Sequence, residues 1–318
     1  MSKEINSKLI DLSIVVPCYN EEEVLPETIT RLGELLDQLI NESLVSNKSA
    51  VWFVDDGSKD KTWELIGDAC SSERYRGIKL SRNKGHQYAL LAGLEHAEGD
   101  ILVSVDADLQ DDISVIRSMV LEHLNGHDVV YGVRKGRQTD TFFKRFTAEG
   151  YYHILKTLGV DIVFNHADFR LMSRRAVNVL RGYKEVNLFL RGVVPDIGFP
   201  STSVEYDRAE RFAGESKYPL RKMLALALNG VTSFSAVPLR MIAGLGFLVF
   251  IFSSMIAVWA LWTRLFTDAA IPGWASSVLP MYILGGIQLL SLGVIGEYVA
   301  KIYMESKARP RYSIDKVI

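Results

Sequence analysis

The sequence predicts an α/β fold with a mostly parallel sheet, followed by interfacial amphipathic helices and a two-helix transmembrane hairpin. Three observations predict it. Short apolar strands alternate with helical stretches between Leu12 and Arg134. Polar clusters recur where each of those strands stops. Two long uncharged runs lie near the end of the chain.

The first strand is LSIVVPCYN (12–20), an apolar, β-branched run expected to end at Pro17. EVLPETITRLGELLDQL then reads as a helix, with Leu25, Ile29, Leu32, Leu36 and Leu39 on one face. AVWFVDDGS (50–58) is a second strand stopped by Asp-Gly, and KTWELIGDA is helical. GIKLSRN is a short third strand, and GHQYALLAGLEHA is a helix closed by Gly99. DILVSVDAD is the fourth strand, ISVIRSMVLEHL a helix stopped by Asn125-Gly126, and HDVVYGVR the fifth strand. Strands this apolar are covered on both faces, and ligands of such sheets bind beyond the strands' carboxyl ends.

From Met241 to Thr263 no residue is charged, and Arg240 and Arg264 bracket the run. At about 1.5 Å per residue it exceeds the ~30 Å hydrocarbon core of a bilayer. A second uncharged run covers Ala269–Gly296; Pro272 and Gly273 read as loop, with the helix beginning near Val278. Lys217, Arg221, Lys222 and Arg240 precede the first span, and Lys301, Lys307, Arg309 and Arg311 follow the second. The positive-inside bias therefore places both termini and the soluble part in the cytoplasm. Trp259, Trp262 and Trp274 mark the opposite interface. Between Arg208 and Lys222 five basic residues meet two acidic ones, ahead of an amphipathic run with Leu220, Leu224, Leu228 and Val231 on one face. Such a segment lies in the headgroup layer.

Composition removes several function classes. A formal net charge of −2 offers no global basic field for nucleic acid. Cys18 and Cys70 are the only cysteines, which argues against a disulfide framework. The first residues lack the apolar core of a signal peptide. Neither a G-x-G-x-x-G after the first strand nor a P-loop is present. His123 and His127 stand four apart, but Asn125-Gly126 interrupts them and a surface role is expected.

What remains is the row of strand ends. Tyr19, Asn20 and Glu21 follow the first strand, Asp55 and Asp56 end the second, Arg82, Asn83 and Lys84 follow the third, Asp106 and Asp108 end the fourth, and Arg134 follows the fifth. An isolated Asp-x-Asp is a cap. At a strand end among such neighbours, two carboxylates on one turn can share a hard divalent cation, whose remaining ligands would be phosphate oxygens.

In this order and spacing, VVPCYNEE, VDDGSKDKT, RNKGHQYALLAG and VDADLQDD resemble the GT-A fold glycosyltransferases of family 2. NHADFRLMSRRAV and ERFAGESKYPLRKMLALALNGVTSFSAVPLR, followed by two spans, are similar to the polyisoprenyl-phosphate glycosyltransferases. These include dolichyl-phosphate mannose synthases and bacterial bactoprenol glucosyltransferases of the GtrB type. The resemblance implies a GT-A (Rossmann-like) catalytic domain over 1–207, a basic juxtamembrane segment over 208–237, two transmembrane helices over 238–302 and a cytoplasmic tail over 303–318. It also implies an integral protein of the bacterial plasma membrane.

The same resemblance assigns roles. Pro17, Tyr19, Asn20 and Glu21 match the first nucleotide-contacting motif, and Asp55 and Asp56 the carboxylates near base and ribose. Lys84 and Gly85 lie in a loop facing the nucleotide; Asp106 and Asp108 match the metal and diphosphate motif, with Gln110 beside it. Asp168 matches the acidic position discussed as the catalytic base. Arg211, Ser216 and Lys217 match the basic motif near the reacting phosphates, and Arg134, from its place after the fifth strand, is expected to join them at the phosphates and the acceptor.

The implied reaction moves a sugar, UDP-glucose first among donors, to undecaprenyl or another polyprenyl phosphate with inversion, assisted by Mg²⁺ or Mn²⁺. Donors carrying 4-amino-arabinose, N-acetylglucosamine, galactose or mannose stay open, as does a homo-oligomer. The acceptor is a phosphate monoester with a second pKa of about 6, so it needs little deprotonation. Asp168 is therefore expected to orient acceptor or sugar as much as to take a proton. A processive polysaccharide synthase is disfavoured because no Trp here has the Q-x-x-R-W context. A non-enzymatic membrane scaffold is disfavoured by the intact Asp106, Asp108 and Asp168.

Overall fold

In a computed structural model of the chain, residues 9–135, 166–186, 190–207, 237–266 and 273–318 are described. The expected alternation appears as β1 (Leu12–Cys18), α1 (Leu25–Asn41), β2 (Ala50–Asp55), α2 (Thr62–Ala69), β3 (Tyr75–Leu80), α3 (His86–His96), β4 (Ile101–Ser104), α4 (Val115–Leu124) and β5 (Val129–Arg134). Next come β6 (His166–Ser173), α5 (Arg174–Leu180), α6 (Leu190–Asp196) and β7 (Ser201–Tyr206). Two long helices, α7 (Val237–Phe266) and α8 (Gly273–Ser306), precede a last strand, β8 (Ile314–Val317).

These strands form one sheet in the order β7-β5-β6-β4-β1-β2-β3-β8. β1, β2, β3 and β4 run parallel, and β5 is parallel to β7. β6 is antiparallel to both its neighbours, β4 and β5, with Ser104 opposite Arg170. The sheet is therefore mixed. Asp168 and Arg170, two residues apart, both lie on β6, between β5 and β4.

Strands β1, β2 and β4 are buried on both faces because they are apolar at successive positions. Ile14, Val16, Val51 and Phe53 pack with α1, α2 and α4 on one side. Val15, Trp52 and Val54 pack with α3, α5 and α6 on the other. On α1, Leu25, Leu32, Leu36 and Leu39 are fully buried and Ile29 partly so, as the helical spacing predicts. Each such leucine contributes about 1.5–3 kcal/mol by leaving water. Gly93 of α3 allows the closest approach: a Cβ there would stand 2.2 Å from Val15 Cγ1 and 2.9 Å from Val54 Cγ2.

Two observations differ from the sequence reading. α8 begins at Gly273 rather than near Val278 and carries Pro280 inside it. Residues 314–317, in the segment read as a tail, pair antiparallel with β3, Ile78 opposite Val317 and Lys79 opposite Lys316. The chain thus returns from its last long helix to cover the sheet edge, which leaves fewer unpaired backbone groups there. α7 and α8 are each long and apolar enough to cross a membrane, and Met241, Phe247, Phe252, Trp259, Leu289 and Ile302 stand exposed on them.

Candidate active site

The loops after β1 and β2 are sewn together. Asn20, with φ of 52°, donates its N–H to Ser58 Oγ (3.0 Å) and accepts from the Lys59 N–H (2.8 Å). The Glu21 N–H donates to Thr62 Oγ1 at 2.9 Å. Pro17 sits within β1 opposite Val54, with Tyr19 just beyond the strand. Asp55 accepts from the Ser58 N–H at 3.1 Å through Oδ1, while its buried Oδ2 has no hydrogen-bond partner among the described residues. Asp56 spans to the next loop: its oxygens accept the N–H groups of Lys84 (2.7 Å) and Gly85 (2.8 Å). Burial pushes both carboxyls above the ordinary range, against the pull of those N–H donors. Gly85 has φ of 98°, which only glycine adopts without strain, and it starts α3.

The fourth strand ends where the sequence predicts, and its turn is pinned. Thr28 Oγ1 donates to the Ala107 carbonyl at 2.8 Å. Leu109 takes φ of 55°, and the Gln110 N–H donates to Asp108 Oδ1 at 3.2 Å. Asp106 keeps 37 % of its side-chain surface exposed. Loss of water around it pushes its pKa up to about 6; His86 opposes this, and Asp111, Asp168 and Asp108 add to it. A carboxylate crowded by three others is short of positive charge. Asp106 and Asp108 are hard oxygen donors suited to a divalent cation. Among the described residues no three metal-ligating side chains converge, so such a cation would complete its shell with a ligand's phosphate oxygens.

Asp168 occupies a different environment. It is buried on β6 and held by two arginines. Arg170 Nη2 lies 2.7 Å from Oδ1; Arg191 contributes Nε at 3.2 Å from Oδ1 and Nη2 at 3.1 Å from Oδ2. Burial raises the carboxyl, but Arg191, Arg170 and His86 together outweigh it and hold Asp168 far below the usual carboxylate range. Between the two carboxylates stands His86, its Nε2 3.4 Å from Asp106 Oδ1 and 3.6 Å from Asp168 Oδ2. The two further arginines of the motif go elsewhere, Arg174 to the carbonyls of Gly99 and Ala97 and Arg175 to Asp128.

A second group flanks this centre. Asp111 Oδ1 accepts from Arg134 Nη2 (3.0 Å) and the Tyr206 hydroxyl (2.5 Å), and Arg134 Nε approaches that hydroxyl at 3.2 Å. Asp111 Oδ2 is buried without a partner among the described residues. Arg134 is thus anchored beside the Asp106–Asp108 turn. Arg211, Ser216 and Lys217 lie outside the described residues. His123 and His127 face the turn between α4 and β5, with Nδ1 atoms 2.8 Å and 3.0 Å from the His127 and Glu122 carbonyls.

Sequence reading missed His86, Arg191 and Tyr206 as site residues. His86 follows Gly85 directly and opens α3, a position that faces ligands in such folds. Arg191 and Tyr206 carry no local signal.

Residues 13–181 match the family described as Glycosyl transferase family 2. The glycosyltransferase YkoT of Bacillus subtilis is 52% identical over 309 residues, covering 96% of this chain and 91% of that one. The prophage bactoprenol glucosyl transferase homolog of Escherichia coli is 39% identical over 308 residues, 96% and 99% of the two chains. The SfII prophage-derived bactoprenol glucosyl transferase of Shigella flexneri is 39% identical over 307 residues, 96% and 97%. A mixed sheet with acidic groups at its strand ends and a match of this extent define a sugar-transferring enzyme. The chain belongs to glycosyl transferase family 2, in the branch that includes the bactoprenol glucosyl transferases.

Proposed function

We propose that the protein transfers a sugar, glucose from UDP-glucose as the first candidate, to a polyprenyl phosphate at the cytoplasmic face of a bacterial plasma membrane. The observation that carries this reading is the pairing of unlike carboxylates at one sheet edge: Asp106 lacks positive charge, while Asp168 is saturated with it. The first is suited to a cation-bound diphosphate, the second to ordering cationic groups around an anionic acceptor. A divalent cation held by Asp106 and Asp108 would stabilise the charge that grows on the departing nucleoside diphosphate.

The chain's own residues do the rest. An acceptor phosphate oxygen attacks the anomeric carbon as the bond to the diphosphate breaks, with inversion. The acceptor is already largely dianionic near neutral pH. Asp168, held below the usual range, is a poor proton acceptor, so its work is to fix Arg191 and Arg170. The Arg191 side chain is one-third exposed, at 33%, which leaves its guanidinium within reach of a phosphate. Arg134, Arg211, Ser216 and Lys217 supply further cationic and polar contacts to the phosphates. α7 and α8 span the membrane in this reading, with 208–237 in the headgroup layer, which brings the strand ends to the lipid phosphate.

The test is a panel of radiolabelled UDP- and GDP-sugars incubated with the purified chain and undecaprenyl phosphate. Transfer of glucose from UDP-glucose alone supports the full reading. Transfer of another sugar changes the donor only, and no transfer to any polyprenyl phosphate overturns the acceptor.

A further inference from the structure

The last turn of α8 and the chain just beyond it meet the catalytic domain on one short segment. Glu305 accepts the Val186 N–H with both oxygens, at 2.8 Å and 2.9 Å. The Val186 carbonyl accepts the Tyr88 hydroxyl of α3. Arg311 donates to the Tyr183 carbonyl (2.7 Å) and to Glu95 Oε1 at the far end of α3 (2.8 Å). Tyr312 donates to the other Glu95 oxygen. Residues 183–186 are therefore held between α3 and the exit of the second apolar helix.

That segment leads straight to the site. Four residues after Val186 comes Leu190, whose N–H donates to Gln87 Oε1 (3.3 Å) and whose carbonyl accepts Arg170 Nη1 (3.3 Å). The next residue is Arg191, which grips Asp168. Four residues span at most about 14 Å when extended, so fixing Val186 restricts where Leu190 and Arg191 can lie. The same α3 that holds Val186 through Tyr88, and Arg311 through Glu95, presents His86 to Asp106 and Asp168.

We propose that Glu305 and Arg311 are positioning residues for the Arg191–Asp168 pair, so that seating α8 and the C-terminal strand on the domain completes the site. The apolar hairpin is then part of the catalytic apparatus as well as an anchor. The kinetic half of this proposal rests on the glycosyl-transfer reading; the structural half does not.

The experiment uses the full chain in nanodiscs, comparing Glu305→Ala, Glu305→Gln and Arg311→Ala with the wild type. Hydrogen exchange, UDP affinity and turnover are read in parallel. In Glu305→Ala and Arg311→Ala, peptides covering 183–196 should exchange about tenfold faster while β1, β2 and α1 keep their protection. Turnover should fall about tenfold with UDP affinity unchanged. Glu305→Gln keeps one oxygen for the Val186 N–H and should recover most of both losses. Wild-type protection at 183–196 in Glu305→Ala overturns the proposal. So does a uniform loss across the sheet, which marks general destabilisation. A wild type that turns over no polyprenyl phosphate refutes the function instead, and the exchange result still decides the coupling.

Discussion

Arg191 and Asp168 meet as a two-point pair across 23 residues of chain, Nε to Oδ1 at 3.2 Å and Nη2 to Oδ2 at 3.1 Å. With Arg170 on the same carboxylate, Asp168 is a group whose lone pairs are spoken for. Asp168→Asn keeps the shape and loses the charge that orders both arginines. Turnover should fall about 10²-fold, the scale of a misplaced reacting group. UDP affinity by calorimetry should stay nearly intact. Arg191→Lys should resemble it, because an ammonium cannot make the forked contact. A folded Asp168→Asn protein that loses UDP affinity would move Asp168 into the donor site.

Leaving Arg170 without its carboxylate has a different signature. Its side chain is 2% exposed, so Asp168→Ala leaves a buried guanidinium without its carboxylate. Breaking one half of a buried pair costs about 3–5 kcal/mol. Asp168→Ala should therefore lower the melting temperature more than Asp168→Asn does, and more than Arg191→Ala, whose partner keeps Arg170. Equal melting temperatures for all three would show that the pair is not structurally coupled.

Asp106 trades stability for chemistry. Its pKa is raised to about 6 chiefly by burial, so the folded chain binds more protons than the unfolded chain between about pH 4 and pH 6. Stability from this group is present below the unfolded value and is lost as pH rises through the folded value. With 37 % of the side chain exposed, screening reduces the effect to about 1 kcal/mol. In excess chelator, Asp106→Asn should melt above the wild type at about pH 7.5, and the gap should narrow below about pH 6 and close only near about pH 4. Activity should be abolished at both. A variant that melts below the wild type at the higher pH contradicts the assigned crowding.

Much of this was legible in the sequence, for stated reasons. β1 to β5 are apolar runs bounded by turn residues, and such runs announce themselves locally. The Asp-x-Asp at the end of β4 was readable because strand ends and ligand edges coincide in parallel sheets. β6 was not readable as a strand. HADFRLMS places an aspartate and an arginine two apart, so both lie on one face of a central strand, where an unpaired charge would be excluded. Asp168 and Arg170 neutralise each other there, and no period expresses that. β8 was missed because four half-polar residues carry no alternation long enough to count. His86 and Arg191 were missed because their partners lie on other elements, and pair distances of that kind are set by the fold.

Gly93 tests the packing of α3 directly. In a helix interior, Gly→Ala ordinarily stabilises by up to about 1 kcal/mol. Here the new methyl would overlap Val15 and Val54, both of them on the central strands. Overpacking should win, at about 1–3 kcal/mol of lost stability. Chemical denaturation of the detergent-solubilised chain should show a lower midpoint for Gly93→Ala, while Gly67→Ala on α2, with open space around its Cβ, should not destabilise.

His86 is the least anticipated member of the site and gives the most discriminating prediction. Its Nε2 stands 3.4 Å from Asp106 and 3.6 Å from Asp168, both longer than a good hydrogen bond. It therefore acts on the carboxylates through its charge or dipole, and it favours the ionised form of Asp106. Protons and a divalent cation compete for that ionised form, so cation affinity should rise with pH through about 6, the folded value of Asp106. Removing His86 leaves burial, Asp111, Asp168 and Asp108 to raise Asp106 further. The midpoint for Mn²⁺ binding, followed by electron paramagnetic resonance of the free ion, should move to higher pH in His86→Ala. At a pH well above both midpoints the two proteins should bind Mn²⁺ alike, which separates an electrostatic neighbour from a direct ligand. A His86→Ala protein whose midpoint stays in place, or whose affinity is lost at every pH, assigns His86 a different role: a bystander in the first case, a metal ligand in the second.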